Sequence, residues 1–175
     1  MIQQPQVIAL IDLAIFQALW WLAALEMNNA ILGLVALLSL HFVVRNQHLK
    51  RDLLVVSLFA PLGWAIDLAL QALGFWDLQS DYPVWLLAIW AGFILNLLYS
   101  LAWLAKLSRL LQSLIGGLAG SLSYLAGAKL GAINFNYPLA SSTFSLFIVW
   151  SLLLPSILLS LNFFIIRVNF KQKIK

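Results

Sequence analysis

Residues 26–52 read EMNNAILGLVALLSLHFVVRNQHLKRD, and this stretch decides what kind of protein the chain is. An apolar block runs from Met27 to Val44, closed on one side by Glu26 and Asn28-Asn29 and on the other by Arg45, Lys50 and Arg51. A bilayer core takes roughly 20 apolar residues in helical form, so the block has the length of one crossing. The block before it, Val7 to Leu25, is equally apolar. Joined as one helix the two would reach about 57 Å at 1.5 Å per residue. That is nearly twice the hydrocarbon thickness, so a turn is required near Asn28-Asn29.

Four more blocks follow, from about Leu53 to Leu73, Val84 to Leu104, Leu110 to Ala132 and Phe144 to Ile166. Of the 175 residues 63% are hydrophobic and 9% charged, against about 45–50% and about 25% in a soluble domain. Six crossings use about 120 residues, leaving too few for a folded domain outside the bilayer. The reading is an all-α polytopic bundle of six transmembrane helices, one domain over 1–175. Soluble enzymes, secreted domains and nucleic-acid partners are set aside, and Cys 0 excludes disulfides and thiolate metal sites. No metal site or cofactor is expected.

The connectors give an orientation. Arg45, Lys50, Arg51, Lys106, Arg109, Arg167, Lys171, Lys173 and Lys175 all fall on one side, whereas the opposite connectors hold Glu26, Asp77 and Asp81. Short basic loops stay cytoplasmic, so both termini are expected in the cytoplasm of a bacterial inner-membrane protein. Trp20, Trp21, Trp76, Tyr82, Trp85 and Tyr137 fall near the outer ends and Trp103 near the inner end of helix 4, as interfacial aromatics do. No Lys or Arg precedes the first block, so helix 1 is expected to be retained rather than cleaved as a signal peptide. The three hairpins share no motif at a fixed period, and no internal repeat is read.

Ionisable groups inside a membrane cost at least ~2.5–3.5 kcal/mol on insertion scales and need a partner or a purpose. Asp12 and His41 sit at one depth, roughly 6–8 Å from the cytoplasmic boundary; Asp67 lies about 21 Å up and Lys129 about 28 Å up. Gln17 and Asn96 fall between, so the six residues form a polar ladder across the bundle. Two readings compete: a polar cavity or proton path, or hydrogen bonds that join helix to helix. Asp67 either faces a cavity or pairs with Lys129. It shares a stripe of helix 3 with Ala60, Gly63, Gln71 and Gly74, above Pro61, while helix 4 carries Gly92, Asn96, Tyr99 and Ser100 on a matching face.

Helix 5 carries Gly116, Gly120, Ser123, Gly127 and Gly131 at steps of four, three, four and four. Small residues at this spacing admit a second backbone, either within the bundle or in a homodimer through helix 5. Catalytic motifs are absent: there is no HExxH, Ser-x-x-Lys, Gly-x-Ser-x-Gly or phosphate loop.

Phe16-Gln17 with Trp20, His41 closing helix 2, Gly63 with Asp67, Pro83-Val84-Trp85-Leu86 with Trp90 and Phe93, and Ser123-Tyr124 with Gly127 and Gly131 form a pattern over nearly the whole chain. It resembles an uncharacterised family of bacterial inner-membrane proteins, the domain of unknown function number 2878. The resemblance implies location and topology rather than chemistry. Members of that family are encoded beside fatty-acid-modifying enzymes, which implies a lipid-modifying partner enzyme and a role in membrane-lipid stress.

Three functions follow as expectations. The first is a component that binds membrane lipid or a partner within lipid modification or the envelope stress response. The second is a small proton-coupled permease using Asp67. The third, ranked last for want of a nucleophile or metal set, is an intramembrane enzyme using Asp12, His41 or Asp67.

Overall fold

The computed structural model describes residues 4–79 and 82–173, with side chains placed over 6–79 and 82–166. Asp81 and the side chains of Arg167, Lys171, Lys173 and Lys175, which entered the orientation argument, lie outside the described residues. Among those described, the helices are α1 (Gln4–Glu26), α2 (Ile31–Val44), α3 (Leu49–Ala72), α4 (Val84–Leu98), α5 (Arg109–Lys129) and α6 (Leu139–Lys173). Two short strands, β1 (Trp76–Leu78) and β2 (Ile133–Phe135), complete the order α1-α2-α3-β1-α4-α5-β2-α6. The class is all-α, and four stretches are long and apolar enough to cross a membrane: Gln6–Val44, Asn46–Ala72, Arg109–Lys129 and Leu139–Ile166. The chain is a membrane protein.

The turn required near Asn28-Asn29 is a 3₁₀ segment, Met27–Ala30, entered with Met27 at a φ of 49°. It folds the 39-residue stretch back on itself, so that α1 packs against α2. A second 3₁₀ turn, Asn46–His48, leads into α3, which continues unbroken through Pro61.

Helix 4 is shorter than the sequence reading. It stops at Leu98 rather than Leu104, because the amides of Tyr99 and Leu101 both turn back to the Asn96 carbonyl, at 3.1 and 2.8 Å. The apolar run continues as a 3₁₀ segment, Ala102–Lys106. At 15 residues α4 spans about 22 Å, less than the ~30 Å hydrocarbon core. Helix 6 begins five residues before Phe144, at Leu139.

The residues gather into two compact units, Met1–Leu101 with Gly127–Tyr137, and Ala102–Ala126 with Pro138–Lys175. In the first unit α4 is central, packed against α1, α2 and α3. Ten of its fifteen residues are buried, among them Trp85, Ile94 and Leu95, and Leu19, Leu34 and Val55 are buried on the surrounding helices. Contacts mark the two ends of this unit. Asn28 donates to the Tyr82 carbonyl at 2.8 Å and accepts from the Trp85 amide at 3.2 Å, which joins the α1–α2 turn to the start of α4. At the other end Arg45 meets Asp12, and Tyr99 meets Arg51 and Asp52. Successive helices α1 to α4 therefore run in alternating directions.

In the second unit α5 and α6 lie in close contact. A Cβ built on Gly116 would come 2.5 Å from the Trp150 carbonyl oxygen, and one on Gly120 would come 2.1 Å from the Trp150 ring. Gly116 and Gly120 are thus filled by α6 of the same chain. Farther along the stripe the glycines do other work. Gly127 faces Ile133, and Gly131, at a φ of 82°, closes α5.

The same closure occurs at the end of α3. Gly74 ends α3 at a φ of 80°, with bonds from its own amide to Gln71 (2.8 Å) and from the Phe75 amide to Leu70 (3.0 Å). Gly131 ends α5 with the same pair, its amide to Ala128 (3.1 Å) and the Ala132 amide to Gly127 (3.0 Å). Both are Schellman caps, which favour glycine in the left-handed region. Each leads into one of the two strands, which pair antiparallel as Trp76 with Phe135, Asp77 with Asn134 and Leu78 with Ile133. Gly63 and Gly120, Gly74 and Gly131, and Asp77 and Asn134 all stand 57 residues apart. Gly63 and Gly120 each receive a tryptophan ring, Trp90 and Trp150 respectively.

A Cβ would meet nothing within 4 Å at Gly74 or Gly131, so the penalty for alanine there is conformational alone. Gly131→Ala is expected to lower stability by about 1–2 kcal/mol, read as a lower Tm in detergent. Gly74→Ala should match it.

Candidate functional site

Apart from Asp67, the buried charges of the first unit collect where α1 begins, α2 ends, α3 begins and α4 ends. Asp12 and Asp52 are fully buried, and His41 is 2% exposed. His41 and Arg45 stand four residues apart at the end of α2 and so share a face, and that face meets Asp12. Arg45 donates from Nε to Asp12 Oδ2 at 2.7 Å and from Nη2 to the same oxygen. The second carboxylate oxygen, Oδ1, lies 3.7 Å from His41 Nδ1. That separation is beyond hydrogen-bond range.

A second pair backs onto the first. Arg51 donates from Nε to Asp52 Oδ1 at 2.9 Å, with Nη2 2.8 Å from the same oxygen. Tyr99 donates its hydroxyl to Asp52 Oδ2 and accepts from Arg51 Nη2 at 3.1 Å. Its ring joins the pairs: the Arg45 guanidinium lies 4.4 Å from the ring centroid and that of Arg51 5.8 Å, both within cation–π range. Tyr99 follows the last residue of α4, and its hydroxyl is held between Asp52 and Arg51.

The full charges of Asp12, Asp52, Arg45 and Arg51 cancel. Two buried atoms of this cluster have no hydrogen-bond partner among the described residues, Asp12 Oδ1 and His41 Nε2. Among those residues no group of three His, Cys, Asp or Glu could hold a metal ion.

The rest of the expected ladder is distributed differently. Asp67, 1% exposed, accepts a hydrogen bond of 2.6 Å from Trp90 Nε1. Asn96 is buried and bonds close to its own helix, donating to the Gly92 carbonyl at 3.0 Å and accepting from Ser100 Oγ at 2.5 Å. Gln17 and Lys129 are both exposed. Asp12 and His41 are therefore brought together, Asp67 and Asn96 are enclosed separately, and Gln17 and Lys129 stand on the surface.

Arg45, Arg51, Asp52 and Tyr99 belong to the site, although the sequence reading uses Arg45 and Arg51 only as topology signals and Tyr99 as part of a helix face, and assigns Asp52 no role. For Arg45 the available signal was its spacing from His41, four residues along the same helix end.

The family model described as "Protein of unknown function (DUF2878)" matches residues 9–156, and the chain belongs to that family. No curated protein and no solved structure matches it.

Proposed function

We propose that this member of the family is a lipid-binding component of the bacterial inner membrane, with six crossings and both termini cytoplasmic, serving lipid modification or the envelope stress response. The one-sided placement of the basic connectors supports the orientation. The observation that carries lipid binding is a groove of about 650 Å³ in the second unit, lined by Leu118, Leu122, Leu139, Phe144 and Phe147. Its volume falls in the ~300–1,000 Å³ range of small-ligand sites. Ser121 and Thr143 also border it, but their hydroxyls are committed to the Gly117 and Leu139 carbonyls, each at 2.7 Å. With both hydroxyls engaged, the chemistry of the groove suits an acyl chain. The enclosure of Asp67 by Trp90 supports an architectural role for that acid rather than proton coupling.

Photolabelling in nanodiscs containing a phospholipid with a diazirine acyl chain tests this. Label is expected to concentrate on peptides around Leu122 and Phe144, and Leu122→Trp should cut it there severalfold. Even labelling of every lipid-facing helix would overturn the reading. A deletion strain should show an altered acyl-chain profile under oxidative stress; an unchanged profile removes the physiological assignment while leaving the groove intact.

A further inference from the structure

We propose that α1 is a dimerisation helix, on which the side-chain amide of Gln17 meets Gln17 of a second copy of this chain inside the membrane. The first unit uses one face of α1, where Asp12, Ile15, Leu19 and Ala23 are buried. At about 100° per residue, Gln17 belongs to the opposite face, with Leu10, Ala14, Trp21 and Leu25. All five are exposed. The amide of Gln17 has no hydrogen-bond partner among the described residues.

Its position along the helix makes that exposure costly. Gln17 stands 13 residues after Gln4 and nine before Glu26, about 20 Å and about 14 Å from the two ends of α1. A glutamine side chain reaches neither boundary of the ~30 Å hydrocarbon core. Its amide brings two donors and an acceptor, and lipid tails offer them nothing. A second copy does. About a two-fold axis along the membrane normal both copies keep one orientation, and a residue beside the axis meets its own counterpart at the same depth. Two Gln17 amides can then exchange a pair of N–H···O bonds, whereas an unrelated helix would need a polar group of its own at that depth. Ala14, one turn away, leaves room for the second backbone. The small-residue stripe of α5 is a different surface, with Gly116 and Gly120 already against Trp150. This inference stands apart from the acyl-chain groove, which lies in the other unit.

The chain has no cysteine, so a single introduced thiol reports contact between copies. Purified Ala14→Cys in phosphatidylcholine liposomes is oxidised and scored for disulfide-linked dimer, and Leu40→Cys, exposed on α2, measures random collision. Linkage should be severalfold greater at position 14 than at position 40. The same Leu40→Cys protein, labelled with a fluorophore and diluted into increasing lipid, gives the dimer dissociation constant by single-molecule photobleaching. In that background Gln17→Leu should weaken the dimer about tenfold, the effect of two interhelical hydrogen bonds of ordinary strength, and Gln17→Asn should retain most of the affinity. The Tm of Gln17→Leu in detergent should match that of the wild type, because Gln17 bonds to none of the described residues, and this separates lost association from lost folding. Equal linkage at the two positions, a chain that is monomeric throughout the dilution, or a dimer indifferent to Gln17→Leu overturns the proposal. Linkage of Ala14→Cys to a different protein in native membranes, with the purified chain monomeric, overturns it too and gives the face to that partner.

Discussion

Arg45→Met should lower the stability of the purified protein by about 3–5 kcal/mol, the range seen when one partner of a buried ion pair is removed. Asp12 is fully buried, and both of its bonds to Arg45 fall on one oxygen. His41 is too far to replace them as placed. The substitution also removes the guanidinium from the Tyr99 ring. Adding Asp12→Asn to Arg45→Met should restore much of the loss, because a neutral amide no longer needs the cation. Unfolding in mixed micelles checks both variants. If the double variant is as unstable as the sum of the single ones, the two residues are not coupled.

The second large effect is expected at Gly63. A Cβ there would lie 2.2 Å from Trp90 Cδ2 and Cε3, and Trp90 cannot swing away freely. Its Nε1 is bonded to Asp67, and its ring meets Phe93 edge-on at 5.9 Å. Gly63→Ala therefore forces overpacking, at about 1–3 kcal/mol, and pulls a donor from a buried acid, at about 1–3 kcal/mol more. A second substitution, Trp90→Phe, should absorb part of the overpacking term. In a double-mutant cycle Gly63→Ala should cost less in the Trp90→Phe background than in the wild type, whereas equal costs would place the strain elsewhere.

The apolar blocks and their charged boundaries were legible because the bilayer imposes them residue by residue: a charge at either end of Met27–Val44 has no other economical place. The shared depth of Asp12 and His41 was legible for a related reason, since helix rise converts position into height. Rotation about the helix axis was not. Gln17 lies on a helix that is apolar all round, so no periodicity distinguishes its inward face, and it emerges on the surface. The early end of α4 was hidden because Leu101, Ala102, Trp103 and Leu104 continue the apolar run, while the signal that stops the helix is a pair of backbone bonds to Asn96. The Trp90–Asp67 bond was invisible because it joins residues 23 positions apart on different helices, which no spacing along one helix relates.

The strand pair has a consequence for biosynthesis. β1 leaves the ribosome with its edge unsatisfied, and its partner is 57 residues farther along the chain, after α4 and α5 have been made. Synthesis proceeds from the N-terminus, and an open strand edge invites wrong pairing. The first unit is thus held incomplete until residue 137 has emerged, and chains released before that point would expose Trp76–Leu78 as an adhesive end. Truncation after Lys106 should consequently yield an aggregating product, although all four helices of that unit are present.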